Sequence, residues 1–502
     1  MRNFTLFLLS LITLSNISLF SQTVVFNGND LPSAYFGHNV TFNQTLHVCG
    51  RSYNKLYLSY KRQRLPYEEA AINTQAYTDA ENTFANAFIT AYCPYIYVDT
   101  VRLGATLTNV VATINDERNI SLGYNVKFGN NTRSTSRPNV GNARLIVCAS
   151  NVENYFPQWD GTNGASSNEE YQRQHTKMIK AFRNIDADIY CLAEIQDGTI
   201  ALQAITHTLN AQTAPNRYAF VDDGDNTTDI YSKVGFIYRT DKVKPVLTLG
   251  HPYNSSSVYY KREYVQAFEE LSTNERFMIS MNHFKAKTGS DDNTNEIRMA
   301  NVSKLIDFIT TKLNSNYYQD KDFLILGDLN CGTMEEPITF LSSMGFENQT
   351  QRFAPNEYSY AFNNGVEYLD HAFATSSMAT QITGVAPYHL NADESDVFYF
   401  SSGTDESMYK YSDHDPIIVG LALKNEVSIE ENHSYNNLNI NIFSIDGNIF
   451  VESDTATELS VFDVLGRTVY SNHHDGNTVI NVRPGIYIVR AGNVVKKVAV
   501  SE

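Results

Sequence analysis

Between residues 143 and 423, apolar runs of strand length alternate with longer runs whose apolar residues recur at helical spacing. The run at 323–326 is typical of a strand that is buried on both faces. The stretch 168–185 instead predicts an amphipathic helix. The side chains on its apolar face are Tyr171, Met178, Ile179, Phe182 and Ile185. Because strands that alternate with such helices form layered domains, we predict a multi-layer α/β sandwich over residues 143–423.

Polar side chains recur in six short motifs of this region, most of them where an apolar run ends. Each motif alone has an ordinary explanation, such as a turn, a helix cap or a surface histidine. Together they favour a site, because acids and amides are costly to bury unless their charge is compensated. The motifs are SNVEN with Asn151 and Asn154, LAEIQ with Glu194, NHFK with Asn282, His283 and Lys285, GDLN with Asp328 and Asn330, YLDHAF with Asp370, and YSDHDP with Asp413 and His414.

The GDLN motif places Asp328 and Asn330 two residues apart, directly after a predicted strand. In an extended chain, residues i and i+2 point to the same side. The spacing therefore predicts two oxygen-bearing side chains on one side, although an Asx turn is an alternative.

The residue types of the motifs indicate a metal site of one chemical class. The acids Glu194, Asp328 and Asp413 and the amides Asn151 and Asn330 offer oxygen ligands, which Mg²⁺ or Ca²⁺ prefers. The chain has no CxxC and no cluster of cysteines and histidines, so a thiolate zinc site is not expected. The histidines suit proton transfer and stabilisation of a phosphoryl oxygen better than metal binding.

The ordered set of motifs resembles the endonuclease/exonuclease/phosphatase superfamily, the metal-dependent phosphodiesterases related to deoxyribonuclease I. The stretches VGFIYRTDKV, YSYAFNNGVEYLDHAFA and YHLNADESD are similar to an exported bacterial nuclease subfamily. Ser395 stands where that subfamily usually has a proline, so the loop 392–411 departs from its pattern.

The resemblance implies a role for each candidate residue in an in-line attack of water on phosphorus. It implies that Glu194, Asn151 and Asp413 hold the metal, and that Asp328 and Asn330 orient water and the scissile phosphate. His414 is implied to be the general base or a phosphate stabiliser, oriented by Asp370. His283 is implied to donate to a non-bridging oxygen. These implied roles comprise eight positions: Asn151, Glu194, His283, Asp328, Asn330, Asp370, Asp413 and His414.

The segment 22–140 alternates apolar and polar residues and predicts a small β domain, which resembles the OB-like domain found ahead of some exported nucleases. Such barrels often bind single strands through aromatic and basic side chains. A packing module or a spacer is the alternative. The candidate strand-binding residues are Tyr57, Tyr60, Lys61, Arg62 and Arg64.

The chain ends in a polar linker, 424–437, and a strongly alternating stretch, 438–502, that predicts a small β-sandwich. LSVFDVLGRTVYS, GIYIVRAG and VVKKVAVSE resemble the sorting domain of type IX secretion, which implies that secretion machinery as a partner. A carbohydrate-binding or adhesive module is the alternative.

Residues 1–21 combine Arg2 with an apolar run and small residues before Gln22, which predicts a cleaved export signal; an uncleaved anchor is the alternative. The expected location is therefore secreted or at the cell surface, with no stable membrane insertion. Cys148, Cys191 and Cys331 lie in apolar runs and are predicted to be buried free thiols. Cys49 and Cys93 lie in more polar sequence, where a bridge between them is open.

These observations predict a secreted, divalent-metal-dependent phosphodiesterase that acts on DNA, with RNA as a second substrate. Alternatives are a sphingomyelinase-like or other small-phosphoester hydrolase, for which only DVFYF suggests an apolar hairpin, and a non-catalytic surface binding protein. The formal net charge of -17 argues against a protein that coats nucleic acid. Three basic residues follow His283 closely: Lys285, Lys287 and Arg298. They predict either a solvated basic face or a contact with the nucleic-acid backbone.

Overall fold

A computed structural model forms two compact units, Met1–Lys424 and Asn425–Glu502, and each is considered by itself. The predicted export signal and residues 425–437 of the predicted linker lie outside the described residues. The structure describes residues 22–159, 164–224, 231–287, 291–313, 320–424, 440–445, 447–454, 456–463, 467–492 and 494–500.

The N-terminal part of the first unit is a β barrel with two helices beside it. Strands β2, β3, β4, β6 and β5 pair in that order, and β5 pairs back with β2, so the five strands close into a ring. Apolar side chains such as Phe42 and Leu107 fill it. The elements are β1 (Gln22–Val24), β2 (Asn39–Ser52), β3 (Lys55–Ser59), α1 (Pro66–Glu69), α2 (Gln75–Ala85), β4 (Ile89–Tyr92), β5 (Thr106–Ile114) and β6 (Asn119–Leu122).

The rest of the first unit contains strands and helices in alternation, as predicted. The elements are β7 (Leu145–Tyr155), α3 (Asn168–Ile185), β8 (Ile189–Gln196), α4 (Ile200–Gln212), β9 (Tyr218–Phe220), β10 (Ser232–Arg239), β11 (Val243–Gly250), β12 (Glu263–Glu270), β13 (Arg276–His283), α5 (Asp291–Leu313), β14 (Phe323–Asp328), α6 (Glu336–Ser343), β15 (Glu347–Asn348), α7 (Gln349–Phe353), β16 (Tyr360–Phe362), β17 (Gly365–Glu367), β18 (Asp370–Ala374), α8 (Ser376–Ala379), β19 (Ile382–Pro387) and β20 (Ile417–Leu421).

Two six-stranded sheets form the centre of this region. Their strand orders are β19-β20-β7-β8-β10-β9 and β11-β12-β13-β14-β18-β15. Alternate residues of each sheet face the other sheet: Val147 and Leu324 share one apolar cluster between the sheets. The opposite faces pack on helices, Cys148 against the α3 side and Ile325 against the α5 side. The predicted α/β sandwich is confirmed as four layers, with helices outside two sheets.

Helix α3 shows why the sequence folds this way locally. Ser167 caps its start by accepting a hydrogen bond from the Glu170 amide at 3.2 Å, and Asp186 ends it in the left-handed conformation, with φ of 48°. All five predicted apolar side chains of this helix are buried.

Buried ion pairs join the barrel to the sandwich. Arg62 Nη2 lies 2.8 Å from Asp393 Oδ1, and Arg102 Nε lies 2.6 Å from Glu394 Oε1. Arg64 pairs with Glu68 at 2.5 Å and donates to the Glu357 carbonyl at 3.2 Å. The prediction that Arg62 and Arg64 line a strand-binding groove is therefore wrong, since both guanidinium groups are engaged in this contact.

The five cysteines all lie in the described residues and are buried free thiols, which confirms the prediction for Cys148, Cys191 and Cys331. Cys49 and Cys93 are buried too. Cys93 belongs to the apolar cluster of the barrel, whereas Cys49 lies on the other side of β2, near Arg62 and Asp393. Neither is bridged.

The second unit contains two antiparallel sheets, ordered β21-β22-β25 and β24-β23-β26-β27. Both contribute to one apolar cluster that includes Ile449 and Val461. No helix in the described parts of the chain is long and apolar enough for a membrane crossing. The strands are β21 (Asn441–Ile445), β22 (Asn448–Glu452), β23 (Ala456–Asp463), β24 (Thr468–Asp475), β25 (Thr478–Asn481), β26 (Gly485–Ala491) and β27 (Val494–Val500).

Candidate active site

The candidate residues converge where strands of the two sheets end. His283 and Asp328 end the parallel neighbours β13 and β14 and are in register. Asp370 begins β18 opposite Asp328. In the other sheet, Asn151 and Glu194 lie near the ends of the parallel pair β7 and β8. His414 and Asp413 shortly precede β20. Residues far apart in sequence thus meet because their strands end at the same edge.

Asn151 links the two central carboxylates. Its side-chain nitrogen donates to Glu194 Oε1 at 3.0 Å and to Asp328 Oδ2 at 3.1 Å, while its oxygen accepts from the Glu153 amide at 2.9 Å. The amide of Asn154 donates to the second oxygen of Glu194 at 3.0 Å. Burial, followed by the charge of Asp413, raises the pKa of Glu194.

Asp328 and Asn330 form a turn, not an extended pair. The Asn330 amide donates to Asp328 Oδ1 at 2.9 Å, and Asn330 has a φ of 49°. The Asn330 side chain donates to the Phe284 carbonyl at 3.1 Å. The predicted alternation is wrong here, because the strand ends at Asp328 and the carboxylate caps the following turn. Burial raises the pKa of Asp328 to about 7, with His414 acting in the opposite direction.

His414 is held by a buried carboxylate. Its Nδ1 lies 2.8 Å from Asp370 Oδ2, so Nδ1 carries the proton and Nε2 faces the site, 3.8 Å from Asp328 Oδ2. The ring packs against Tyr360, with ring centroids 4.7 Å apart. Burial lowers the pKa of His414, but Asp370, Asp328 and Asp413 outweigh it and the net pKa lies well above its ordinary value.

His283 is fixed in the opposite tautomer. Arg262 donates to its Nδ1 at 2.7 Å, and an arginine has no acceptor, so a neutral His283 carries its proton on Nε2. That nitrogen lies 3.4 Å from Glu194 Oε1 and 3.8 Å from Asp328 Oδ2. Burial and then the Arg262 charge hold the pKa of His283 well below its ordinary value.

The residues at this edge fit a divalent cation. One side-chain atom of each of Glu194, His283 and Asp328 lies within 4.8 Å of the other two, and the carboxylate oxygens of Glu194 and Asp328 are free to act as ligands. Nearby, the buried Oε2 of Glu153 has no hydrogen-bond partner among the described residues. Burial raises the pKa of Glu153 strongly, with Asp413 and Glu194 adding to the effect. Carboxylates that face each other in this way gain from a hard cation, and Glu194 and Asp328 are the residues placed to hold it.

The eight predicted residues are not equally central. A continuous chain of contacts joins Asn151, Glu194, His283, Asp328, Asp370 and His414. Asp413 lies at the open side, with Oδ1 4.0 Å from His414 Nε2 and a side chain that is 36% exposed. Asn330 faces the chain after His283 rather than the acids.

Three residues with direct contacts in the site were not predicted. Glu153 lies inside the SNVEN motif, and its acidic type was an available signal. Tyr360 lies in the stretch YSYAFNNGVEYLDHAFA but in none of the six polar motifs, and Arg262 lies in neither. Their contacts with the two histidines join segments that are distant in sequence.

The prediction of a basic face beside His283 is wrong for two of its three residues. Lys287 lies 2.7 Å from Glu335 and 3.0 Å from Glu367, and Arg298 is buried 3.5 Å from Glu335. Their charges are paired inside the protein, so they are not free to contact a nucleic-acid backbone.

Residues 124–414, more than half of the 502-residue chain, match the model of the Endonuclease/Exonuclease/phosphatase family. The chain belongs to this family. Members of the family are phosphoester hydrolases. A comparison with curated proteins finds no match.

Three solved structures that are similar to this chain each cover 56% of it. An endonuclease/exonuclease/phosphatase family protein from Bacteroides thetaiotaomicron is 17% identical, covers 56% of this chain and 98% of its own, and has a TM-score of 0.40. A mannosyl-6-phosphatase from the same organism is 16% identical, covers 56% of this chain and 100% of its own, and has a TM-score of 0.39. The catalytic domain of human Nocturnin is 14% identical, covers 56% of this chain and 94% of its own, and has a TM-score of 0.39.

Proposed function

We propose that this chain is an exported, divalent-metal-dependent phosphodiesterase that hydrolyses extracellular nucleic acid, with DNA as the preferred substrate. The observation that carries the proposal is the meeting of Glu194, Asp328, His283 and His414 where the strands of both sheets end, with His283 oriented by Arg262 and His414 by Asp370.

The side chains divide the work of attack on phosphorus. Glu194 and Asp328 would hold the cation, which would supply polarisation of the phosphoryl group. His283 presents an N–H on Nε2 that can donate to a non-bridging oxygen as negative charge develops. His414 presents Nε2 toward Asp328, where this nitrogen can exchange a proton with water or hold a phosphate oxygen, while Asp370 keeps the ring in place.

An exposed aromatic side chain supports a substrate with bases. Phe362 is 55% exposed and lies two residues from Tyr360 on β16, so both side chains project from the same face of that hairpin. Tyr360 on this face contacts His414, so the exposed Phe362 ring supports a substrate whose unpaired base stacks on the hairpin.

The lipid alternative loses its only candidate feature. Phe400 of the DVFYF stretch is buried in the α3 cluster, and the Arg133 guanidinium lies 4.2 Å from the centre of the Phe398 ring. An apolar insertion hairpin is thus absent from this described stretch, which favours nucleic acid over sphingomyelin.

Export remains part of the proposal and rests on the first 21 residues and the C-terminal motifs of the sequence. It predicts that the protein recovered from culture medium or the cell surface begins near Gln22 and lacks the C-terminal unit. Mass spectrometry of the mature protein tests this, and a cell-internal, full-length product contradicts it.

The activity is tested with purified protein, plasmid DNA, RNA, sphingomyelin and p-nitrophenyl phosphate, each with Mg²⁺, Ca²⁺ or EDTA. We expect plasmid nicking that EDTA abolishes and that His414→Ala lowers by about 10²-fold or more. Release of phosphate or phosphocholine without nicking supports the small-phosphoester alternative. Nicking by His414→Ala at the wild-type rate contradicts the role of that residue.

A further inference from the structure

The N-terminal region reaches into the family domain through the short segment 63–69, which includes α1. The Gln63 carbonyl accepts from the Val366 amide at 2.9 Å, and the Leu65 amide donates to the Val366 carbonyl at 3.1 Å. This segment is therefore hydrogen-bonded along the β16–β17 hairpin, whose Tyr360 contacts His414.

Glu68 is the centre of this contact, and its side chain is fully buried. Its Oε1 accepts from the Thr333 amide at 2.8 Å and from the Tyr368 amide at 3.3 Å. Its Oε2 accepts from the Thr333 hydroxyl at 2.8 Å and from Arg64 at 2.5 Å. Four donors thus hold this carboxylate, against the repulsion of the neighbouring Glu367.

The partners of Glu68 belong to segments that carry site residues. Thr333 follows Asn330 by three positions, and Tyr368 precedes Asp370 by two. One carboxylate from outside the family domain therefore connects the loop after Asp328 to the strand that presents Asp370, which in turn holds His414.

The neighbouring Tyr67 contacts a third segment. The Lys287 ammonium lies 3.7 Å from the centre of the Tyr67 ring, and Lys287 follows His283 by four positions. The Tyr67 carbonyl also accepts from the Met334 amide at 3.0 Å. The segment thus touches the chain after each of the strands β13 and β14 and before β18.

We propose that Glu68 is a positioning residue of the active site, supplied by the N-terminal region, and that the barrel is part of the catalytic machinery rather than a spacer. The part of this proposal that concerns catalysis rests on the proposed function. Small displacements of reacting groups cost large factors in rate, so a side chain that joins two site segments from one point affects turnover without touching substrate.

Glu270 offers a matched control. Like Glu68, it is a buried glutamate that accepts from an arginine, here Arg144 at 2.8 Å and 3.0 Å. Its other donors are the hydroxyl groups of Ser272 and Thr273, at 2.9 Å each. Strand β12 begins near the site, since Glu263 pairs with Asn282 beside His283. Glu270 is the last residue of β12 and therefore lies at the other end of the strand, away from the site. Glu270→Gln thus makes the same chemical change away from the site.

The test compares Glu68→Gln and Glu270→Gln in the full-length protein with saturating Mg²⁺ and bis-p-nitrophenyl phosphate, a substrate too small to span the barrel. We expect Glu68→Gln to lower kcat at least about tenfold with KM changed less than about twofold, while Glu270→Gln keeps both. Glu68→Asp, which retains the charge, should recover part of kcat. If Glu68→Gln does not fold, Thr333→Val, which removes only the hydroxyl contact, replaces it. A kcat within twofold of wild type in the folded variant overturns the proposal.

A second readout needs no activity. Hydrogen exchange should rise in Glu68→Gln at the amides of 329–334 and 366–370, and Mn²⁺ affinity by titration calorimetry should fall, with neither change in Glu270→Gln. If the wild-type protein hydrolyses no phosphoester, the proposed function fails, and these two measurements alone decide the positioning. Exchange and Mn²⁺ affinity equal to wild type then overturn it.

Discussion

At one end of the two sheets, buried carboxylates face arginines; at the other end, they face one another. Glu270 accepts two hydrogen bonds from Arg144, and Asp188 lies 3.2 Å from Arg239. At the candidate site, Glu194 and Asp328 share the side-chain amide of Asn151. The basic side chains that lie close to these two carboxylates are the histidines His283 and His414.

The pKa values record this difference. At Glu270 burial favours the neutral form, but Arg144 and two hydroxyl groups outweigh it and lower the pKa. At Glu194 burial and Asp413 act together and raise it. One end of the sandwich is thus electrostatically complete as folded, whereas the other gains from a bound cation.

The largest expected effect is on turnover, and substitutions at the two ends should change turnover and stability in opposite ways. Asp328→Asn should lower turnover by about 10²- to 10³-fold, because it removes a group that faces the reacting phosphate. Its melting temperature should stay equal or rise, since one of several facing acids is neutralised. Glu270→Gln should keep turnover and lose roughly 1–2 kcal/mol of stability.

Turnover assays and thermal unfolding of both variants check this. The comparison breaks if Asp328→Asn unfolds more readily than Glu270→Gln while retaining activity.

The support of His283 by Arg262 should have a smaller effect. Arg262→Met removes the donor that fixes the His283 tautomer, and we expect a loss of about 10- to 100-fold in kcat. Arg276 is the first residue of β13, the strand that ends at His283, and it pairs with Glu269 at 2.9 Å. Because Arg276 lies at the end of β13 away from the site, Arg276→Met should keep kcat. Equal kcat values for the two variants contradict the role of Arg262.

Cations should stabilise only the end where acids face one another. At about 100 times its dissociation constant, a bound ion adds roughly 2.7 kcal/mol to the free energy of unfolding. Differential scanning fluorimetry with Mg²⁺ or Ca²⁺ should show this shift in wild type and Glu270→Gln and not in Glu194→Gln. An undiminished shift in Glu194→Gln places the cation elsewhere.

The smallest effect concerns pH at the opposite end. The folded pKa of Glu270 lies below its ordinary value of 4.5, so its contribution is complete above that value and is lost as pH falls through the folded pKa. The stability difference between wild type and Glu270→Gln should therefore be constant above about pH 5.5 and shrink below pH 4.5. Urea unfolding at several pH values measures it, and a difference that grows on acidification contradicts the sign.

Much of the fold was accessible from sequence because it depends on local pattern. The apolar face of α3 and the buried run of β14 follow from residue spacing, and both have the predicted form. The polar motifs at strand ends were also visible, since strands of the same sheets bring their ends together.

The rest depends on contacts between distant segments. Lys287 and Arg298 look solvated in sequence, but Glu335 lies beside both after folding. Arg62 and Arg64 likewise meet acids and carbonyl groups more than 280 positions away, at Asp393 and Glu357. Asn330 leaves the extended pattern because the Asp328 carboxylate captures its amide, a competition that alternation cannot anticipate.

The most direct measurement is anomalous diffraction at the manganese edge from crystals of the full-length protein soaked in a Mn²⁺ concentration that supports hydrolysis. Our account predicts a peak in contact with the carboxylates of Glu194 and Asp328. An absence of density there, or a peak only beside Glu270, contradicts it.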